Sequence, residues 1–338
     1  MLRPRSGNPA AIVAVATLLT LLLAACSTTP TVAPSLSVAS PAGSGAATGA
    51  CQTAPDPGSL PGWQPPSSTP AIFPQIVANP GELTCGKNRL IFPLLDANLN
   101  DLSKPDRTAT VALYDLARDA TKPYTTVDAA FVWAIESARG IYIANVQFPE
   151  AGTYGAEVTT AAPGSPAVAV RVTFSVDASS PTVRVGQKAP STKTPTAADV
   201  NGDLAQISTD GSPDPAFYKI SEDQALAKHD PFVMIFATPK FCTSAQCGPT
   251  LERLKPFAAK YPTVDFIHVE PYELKFANGQ LQAVLDANQG LVANQITNTW
   301  GLTGEPWVFT VDKSGTITGS FELIFSDAEL TSALDAIR

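Results

Sequence analysis

The residues with the clearest capacity for chemistry are two cysteines, Cys242 and Cys247. They follow directly on the apolar run 231–237, which is typical of a buried strand, and a helix-like segment comes next from Pro249 to Lys260. A helix N-terminus carries partial positive charge and stabilises a thiolate, the reactive form of cysteine. A strand that delivers a cysteine pair to the start of a helix therefore predicts a thiol–disulfide centre.

The spacing of this pair limits the local structure around it. In a regular helix, residues i and i+5 lie about 7.5 Å apart along the axis and about 140° apart around it. A disulfide needs its two Cα atoms within about 7 Å of each other. Bonded cysteines at this spacing cannot share one undistorted helix. We therefore expect a turn or 3₁₀ segment over Lys240–Gly248, with the helix beginning at Pro249, since proline is favoured at the first helical position.

The elements that must position the pair alternate between strand and helix from Asn201 to the C-terminus, which is typical of an α/β domain. Ser221 and Gln224 have the spacing of a capping box and mark one helix start. From residue 231 to the C-terminus the predicted order is βαβαββα, with one further helix before it. The predicted helices are 221–228, 249–260, 279–287 and 327–337, and the predicted strands include 231–237, 264–269, 307–311 and 316–321.

Residues 201–338 resemble the thioredoxin-like domains, in their exported and membrane-tethered branch. The resemblance lies in the cysteine pair after an apolar strand, in Gly304-Glu305-Pro306 before a strand, and in the hairpin segment 309–317. It implies a thiol–disulfide oxidoreductase without a cofactor, in which Cys242 attacks and Cys247 resolves. The pair departs from the usual C-x-x-C spacing, because four residues stand between the cysteines.

The same resemblance gives Pro306 and its neighbours a role. It implies that Pro306 is cis and lies against the disulfide, where the adjacent backbone pairs with substrate; an ordinary trans proline opening a strand is the alternative. Glu305, Trp300 and Trp307 flank this loop and are candidates to line a substrate groove, with core packing as the alternative for the tryptophans. Lys240 could lower a thiol pKa, or it could be a solvated lysine.

Three other functions remain open at this point. Two thiolates and a histidine resemble the Sco-type copper chaperones, with Cys242, Cys247 and His268 as Cu(I) ligands, although a strand histidine is often satisfied by a neighbour. The C-x4-C spacing also occurs in some peroxiredoxins, but Pro239 stands where they have Thr or Ser, and no arginine lies between Arg253 and Arg338. A redox-inert binding protein with a structural disulfide is the last alternative.

The N-terminus predicts export. Arg3 and Arg5 precede the apolar run Ala10–Ala25, which is shorter than the about 20 residues of a permanent membrane span. Cys26 follows Leu-Ala-Ala and resembles the lipidated cysteine of bacterial lipoproteins. Residues 1–25 are therefore expected to be a signal peptide, and the protein to lie at the outer face of the cytoplasmic membrane. A chance cysteine in an ordinary secretory signal or a signal anchor is the alternative.

The net charge and the number of cysteines limit the classes of partner that this protein is expected to have. The net charge of −8 becomes about −10 without the two N-terminal arginines, which argues against nucleic acid. The four cysteines left after Cys26 form an even set for an oxidising compartment, and the most local pairing is Cys51–Cys85 with Cys242–Cys247. Cys51–Cys85 is expected to be a structural staple. The expected partners are thiols or disulfides of exported proteins, and the membrane through the lipid.

Composition divides the rest of the chain. Residues 26–78 are rich in Pro, Ser, Thr and Ala and predict a tether. Residues 79–180 predict an all-β, immunoglobulin-like sandwich, and residues 181–200 predict a linker. The phrase at 139–155 weakly resembles small bacterial sandwiches of the FixH/YtkA type, but this domain has no histidine for a copper site. The candidate strands are 89–95, 109–115, 125–135, 140–148, 152–160 and 167–176.

Overall fold

The structure, a computed structural model, describes residues 51–79 and 81–338. The predicted signal peptide, Cys26 and the first half of the predicted tether lie outside these residues. Within them the fold is rich in β-structure and has few helices. None of the helices in this part of the chain has the length and apolar character needed to cross a membrane.

The first half of the described chain forms two antiparallel sheets, here called the two-sheet region (residues 51–79 and 81–178). One sheet has the order β2-β7-β6, the other has the order β5-β4-β8-β9, and β1 pairs with β3. Buried side chains from both sheets, such as Leu90, Tyr142, Val111 and Val158, share one core. The strands are β1 Phe73–Pro74, β2 Gly86–Phe92, β3 Leu94–Leu95, β4 Thr108–Asp115, β5 Thr125–Asp128, β6 Ala130–Ile135, β7 Arg139–Phe148, β8 Gly152–Ala161 and β9 Val168–Val176.

The predicted strand 125–135 is wrong as a single element. It is divided at Ala129 into β5, which pairs with β4, and β6, which pairs with β7. The chain thus passes from one sheet to the other within this stretch. Periodicity could not reveal the change, because both halves remain extended.

The second half forms a mixed sheet with helices, here called the mixed-sheet region (residues 181–338). The sheet order is β11-β10-β14-β15, in which β10 runs parallel to β11 and antiparallel to β14. The elements are α1 Glu222–Lys228, β10 Phe232–Phe236, α2 Cys247–Lys260, β11 Asp265–Val269, β12 Leu274–Ala277, β13 Gln280–Ala283, α3 Gln295–Trp300, β14 Trp307–Val311, β15 Ile317–Glu322 and α4 Asp327–Ile337.

The central position of β10 explains its continuous apolar sequence. Val233 and Ile235 face one apolar cluster, while Phe232, Met234 and Phe236 face a second cluster on the other side of the sheet. All five residues are buried. A strand covered on both faces needs apolar side chains at every position, so its sequence does not alternate.

Two predictions about helices are wrong. The expected helix 279–287 is instead the end of the turn and the second strand of the hairpin β12–β13, followed by irregular chain over 284–287. The two-residue turn places Asn278 and Gly279 at φ 54° and 76°. An Asn-Gly pair adopts this left-handed turn at little cost, which was the signal missed. The expected capping box at Ser221 does not form, because the Ser221 hydroxyl bonds to Asp223.

The predicted linker and the end of the predicted tether are packed onto the sheets. In residues 181–200, Val183 N–H donates to Trp300 O at 3.1 Å, and Ala189 N–H donates to Gly315 O at 2.9 Å. In residues 51–78, Trp63 is 4% exposed and packs edge-on against Tyr114. The polar composition of these two segments predicted a tether and a linker. Backbone hydrogen bonds and the buried Trp63 indole instead hold them in an ordered position.

The two regions are in direct contact through one side of the three-stranded sheet. Ile324, just after β15, packs with Ile91 and Ile143 in a buried cluster. Arg89 on β2 donates to Ile324 O at 2.6 Å and forms an ion pair of 2.9 Å with Glu329 on α4. Arg253 on α2 donates to Trp133 O on β6 at 3.2 Å. Residues 51–338 accordingly belong to one compact unit.

Candidate functional site

The cysteine pair lies where the central strand passes into a helix. After β10 the chain makes a turn in which Phe241 N–H donates to Thr238 O at 3.2 Å. Cys242 then forms a disulfide with Cys247, the first residue of α2, with 6.0 Å between their Cα atoms. Cys51 and Cys85 form the second disulfide, so the most local pairing is confirmed. Two disulfides indicate an oxidising, extracytoplasmic environment.

Helix α2 begins two residues earlier than predicted. Thr250 N–H donates to Gln246 O at 2.9 Å, so the first intrahelical bond closes over Cys247. Pro249 falls within the first turn, where a backbone N–H has no intrahelical partner and its loss costs nothing. Ala245 has a left-handed φ of 62°, which turns the chain between the cysteines. The turn was expected, and no 3₁₀ segment forms there.

The two sulfurs have different surroundings. Cys242 is half-buried, whereas Cys247 is fully buried. Cys247 N–H donates to Cys242 Sγ at 3.2 Å, and Ser244 Oγ lies 3.3 Å from the same sulfur. The Ser244 hydroxyl donates its proton to Glu305 O at 3.0 Å, so the Cys247 N–H and the N-terminus of α2 are the groups that would stabilise negative charge on Cys242 once the disulfide is reduced. The accessible sulfur is therefore also the one arranged to be a thiolate.

A buried carboxylate, Glu305, lies beside the disulfide. Its side chain is 7% exposed, and the Glu305–Pro306 peptide bond is cis. Oε1 accepts from Thr243 N–H at 2.7 Å and from Thr243 Oγ1 at 2.8 Å. Oε2 accepts a short hydrogen bond from the Tyr272 hydroxyl. Since Thr243 stands between the two cysteines, these bonds connect the loop before β14 to the loop before α2.

These contacts bring three potential ligands together. One ligand atom each from Cys242, Cys247 and Glu305 lie within 4.8 Å of one another. Burial, together with the hydrogen bond to the Glu305 carboxylate, raises the pKa of Tyr272, so its hydroxyl remains a donor at neutral pH. Glu305 was singled out from the sequence only for its place before Pro306. Its contacts with Thr243 and Tyr272 join residues far apart in the sequence, so no local sequence pattern predicts them.

The two tryptophans do not line a groove. Trp300 has no exposed surface and Trp307 is 5% exposed, and both belong to the apolar cluster beneath the sheet. Trp307 stacks on Phe309 with 5.3 Å between ring centroids. Lys240 is also directed away from the thiols, because its Nζ donates to Gln280 Oε1 and Leu281 O at 2.9 Å. The prediction that Trp300 and Trp307 line a substrate groove is therefore wrong, and the core-packing alternative holds for both.

His268 is part of the core rather than of the sulfur group. Its Nδ1 lies 2.6 Å from the Tyr218 hydroxyl, and its Nε2 lies 2.8 Å from Ala237 O. Burial lowers the pKa of His268 to about 4, so the ring is neutral at physiological pH. With both nitrogens occupied, His268 does not join Cys242 and Cys247, and the copper ligand set expected with it is not assembled.

A second buried carboxylate near the end of β11 was missed. Glu270 is 6% exposed, and its Oε1 accepts from Thr209 N–H at 2.6 Å. Burial raises the pKa of Glu270 to about 7. The sequence marks it only as a glutamate after an apolar strand, a position where most glutamates are solvated.

Comparisons with known proteins add little. No protein-family model matches the chain, and no curated protein matches it. A partial structural match is to MtrC from Shewanella baltica OS185, at 12% sequence identity and a TM-score of 0.21. It covers 47% of this chain and 29% of that chain. A likeness this weak carries no argument about fold or function.

Proposed function

We propose that the mixed-sheet region is a thioredoxin-like domain that exchanges disulfides with exported proteins through Cys242 and Cys247. The sheet order β11-β10-β14-β15 supports the proposed fold, with the cysteines after the central strand. The glutamate–proline loop before β14 supports it as well, because Thr243 and Ser244 both bond to Glu305. Two facing antiparallel sheets support an immunoglobulin-like assignment for the two-sheet region.

The observation that carries the proposed activity is the inequality of the two sulfurs. Cys242 is accessible and receives the Cys247 N–H at 3.2 Å, while Cys247 is fully buried behind it. A nucleophile must reach its substrate and must ionise, whereas a resolving thiol needs only to reach its neighbour. A purely structural disulfide requires neither property.

Exchange then proceeds in two steps. The Cys242 thiolate attacks a substrate disulfide, forms a mixed disulfide and releases one substrate thiolate, which takes up a proton. Cys247 loses its proton and attacks Cys242 Sγ, which restores the Cys242–Cys247 bond and releases the second substrate thiol. Two electrons and two protons pass to the substrate. The reverse sequence oxidises a substrate dithiol.

The proposed location is the outer face of the cytoplasmic membrane, through a lipid on Cys26. This follows from the N-terminal sequence, and the two disulfides are compatible with it. The partners would be the thiols or disulfides of exported proteins. The acidic chain, at a net charge of −8, does not favour nucleic acid.

A redox titration of residues 27–338 tests the proposal. The protein is equilibrated in glutathione buffers, and each cysteine is followed by alkylation and mass spectrometry. We expect Cys242–Cys247 to show a reversible two-electron transition between about −120 and −270 mV, the range of known exchange proteins. Cys51–Cys85 provides an internal control and is expected to stay oxidised.

Two results would overturn the proposed function. If Cys242–Cys247 stays oxidised below about −300 mV, it behaves as a structural staple and the redox-inert alternative is favoured. If Cys242 never forms a mixed disulfide with a peptide disulfide, its sulfur is not a nucleophile. Whole-protein unfolding at the transition would be detected by circular dichroism in the same samples.

A further inference from the structure

The group formed by Cys242, Cys247 and Glu305 has a use beyond disulfide exchange. Each residue offers one ligand atom, and the three atoms lie within 4.8 Å of one another. Zinc bonds thiolate sulfur at about 2.3 Å and carboxylate oxygen at about 2.0–2.2 Å. Ligand atoms on one tetrahedral zinc therefore lie about 3.4–3.8 Å apart. To reach this geometry once the S–S bond is broken, the two sulfurs move apart and the Glu305 oxygen moves closer to them.

We infer that the reduced protein binds one Zn²⁺ through Cys242, Cys247 and Glu305. Two soft thiolates and one hard carboxylate suit zinc, which is of intermediate softness, better than Cu(I), which prefers sulfur alone. Three protein ligands leave a fourth position for water or a partner's ligand. This position lies on the side of Cys242, since Cys247 and Glu305 are buried.

The carboxylate is already oriented for this role. Thr243 donates twice to Glu305 Oε1, at 2.7 Å and 2.8 Å, and Tyr272 donates to Oε2. Hydrogen bonds of this kind hold a ligand's orientation and tune its basicity. Oε1 accepts two hydrogen bonds and Oε2 accepts one, so the lone pair that remains for a metal is on Oε2. Glu305 is thus a buried carboxylate that hydrogen bonds hold beside the two sulfurs.

Zinc binding and the disulfide exclude each other. Reduction breaks the Cys242–Cys247 bond with two electrons and two protons, supplied in the cell by a partner dithiol and in vitro by a phosphine that becomes its oxide. Zn²⁺ then replaces the thiol protons, which pass to solvent. Bound zinc would hold the pair reduced and would withdraw it from exchange.

The test uses residues 27–338, reduced with the phosphine and desalted without oxygen. Zinc affinity is measured by competition with a chromophoric chelator, and Co²⁺ is added separately to observe sulfur-to-cobalt charge transfer. We expect one metal per reduced protein and none for the oxidised protein. Cys242→Ser should abolish binding, which shows that reduced Cys51 and Cys85 are not the source.

Matched variants test the third ligand. Glu305→Gln should weaken zinc binding at least 10-fold, whereas Glu270→Gln, which changes another buried glutamate, should leave it unchanged. If Glu305→Gln does not fold, Tyr272→Phe keeps all three ligands and removes one orienting hydroxyl, with an expected weakening of about 10-fold.

The inference fails if the reduced protein binds no zinc, or if the disulfide cannot be reduced without unfolding. It also fails if Cu(I) binds and zinc does not, if Cys242→Ser retains binding, or if the glutamate variants behave alike. Because the protein is reduced chemically, these outcomes do not depend on its redox potential. The protein can therefore bind zinc without exchanging disulfides, or exchange disulfides without binding zinc, and the experiments distinguish the two cases.

Discussion

The two disulfides of this chain have the same span but different surroundings. Both join Cα atoms 6.0 Å apart. Cys51 and Cys85 are both half-buried, and within the part of the chain that the structure describes, Cys51 Sγ has one distant polar contact, 4.0 Å from Asp177 O. Cys242 has a backbone N–H and a helix N-terminus directed at it, and the Ser244 oxygen lies 3.3 Å from its sulfur. The two disulfides therefore both have a half-buried sulfur, and they differ in the hydrogen-bond donors around it.

The two bonds also differ in what they contribute to stability. They close loops with sequence separations of 34 and 5 residues. On the chain-entropy model these separations correspond to about 4 and about 2 kcal/mol. Cys51–Cys85, which has few hydrogen-bond donors near it, therefore makes the larger contribution to stability. Opening Cys242–Cys247 should cost less stability.

Removing the accessible sulfur, Cys242 Sγ, is expected to have the largest effect. Cys242→Ser should reduce exchange with a peptide disulfide to the uncatalysed rate, because no nucleophile remains. Cys247→Ser should instead accumulate a mixed disulfide at Cys242, since nothing resolves it. Both are measured by mass spectrometry after acid quenching. Equal behaviour of the two variants would contradict the assigned roles.

Removing the other bond should affect stability alone. The double variant Cys51→Ser/Cys85→Ser should lose about 3–4 kcal/mol of unfolding free energy, measured with guanidinium chloride. Its exchange rate should equal that of the unaltered protein at a temperature where both are folded. A loss of exchange in the folded variant would show that the two bonds are coupled.

The mixed-sheet region contains a buried glutamate, Glu222, whose ionisation affects stability. Burial raises the pKa of Glu222 to about 8, and its side chain has no exposed surface. Between the unfolded value of about 4.5 and the folded value, the folded state holds the extra proton. Stability is therefore lost as pH rises through this window, by up to about 1.4 kcal/mol per pH unit.

Glu222→Gln should remove this dependence. We expect the variant to gain stability relative to the unaltered protein at pH 8 and to gain little at pH 5. Urea denaturation across the range measures the difference. A parallel pH dependence in both proteins would show that Glu222 is ionised in the folded state.

The smallest effect is expected in the loop between Cys242 and Cys247. Ala245 has a φ of 62°, a conformation that costs an alanine roughly 1 kcal/mol and a glycine almost nothing. Ala245→Gly should therefore raise the unfolding free energy of the oxidised protein by a few tenths to about 1 kcal/mol. Ala245→Val should lower it. A thermal scan of the three proteins gives the order.

The sequence predicted the strands and helices whose signals are local. Trp307–Val311 and Asp327–Ile337 were found to the residue, because one is a bounded apolar strand and the other follows a good capping serine. The hairpin at Asn278-Gly279 was missed although its turn signal is present. The docking of residues 181–200 had no local signal, since it depends on backbone bonds to Trp300 and Gly315.

The candidate site divides in the same way. The cysteine pair and Pro306 could be found from their place after and before strands. The contact of Glu305 with Thr243 could not, because it joins positions 62 residues apart. His268 was a reasonable metal candidate from its residue type, and only its two partners, Tyr218 and Ala237, assign it to the core.

Arg253 has a consequence for how this protein can be engineered. It lies on the same helix as Cys247, yet it donates to Trp133 O in the two-sheet region and to Phe325 O beyond β15. Separating the two regions would leave this arginine without one acceptor and would expose Ile324 to water. The C-terminal half is thus not expected to be stable when it is separated from the two-sheet region. Fusions or truncations that are meant to keep its disulfide centre should retain both halves.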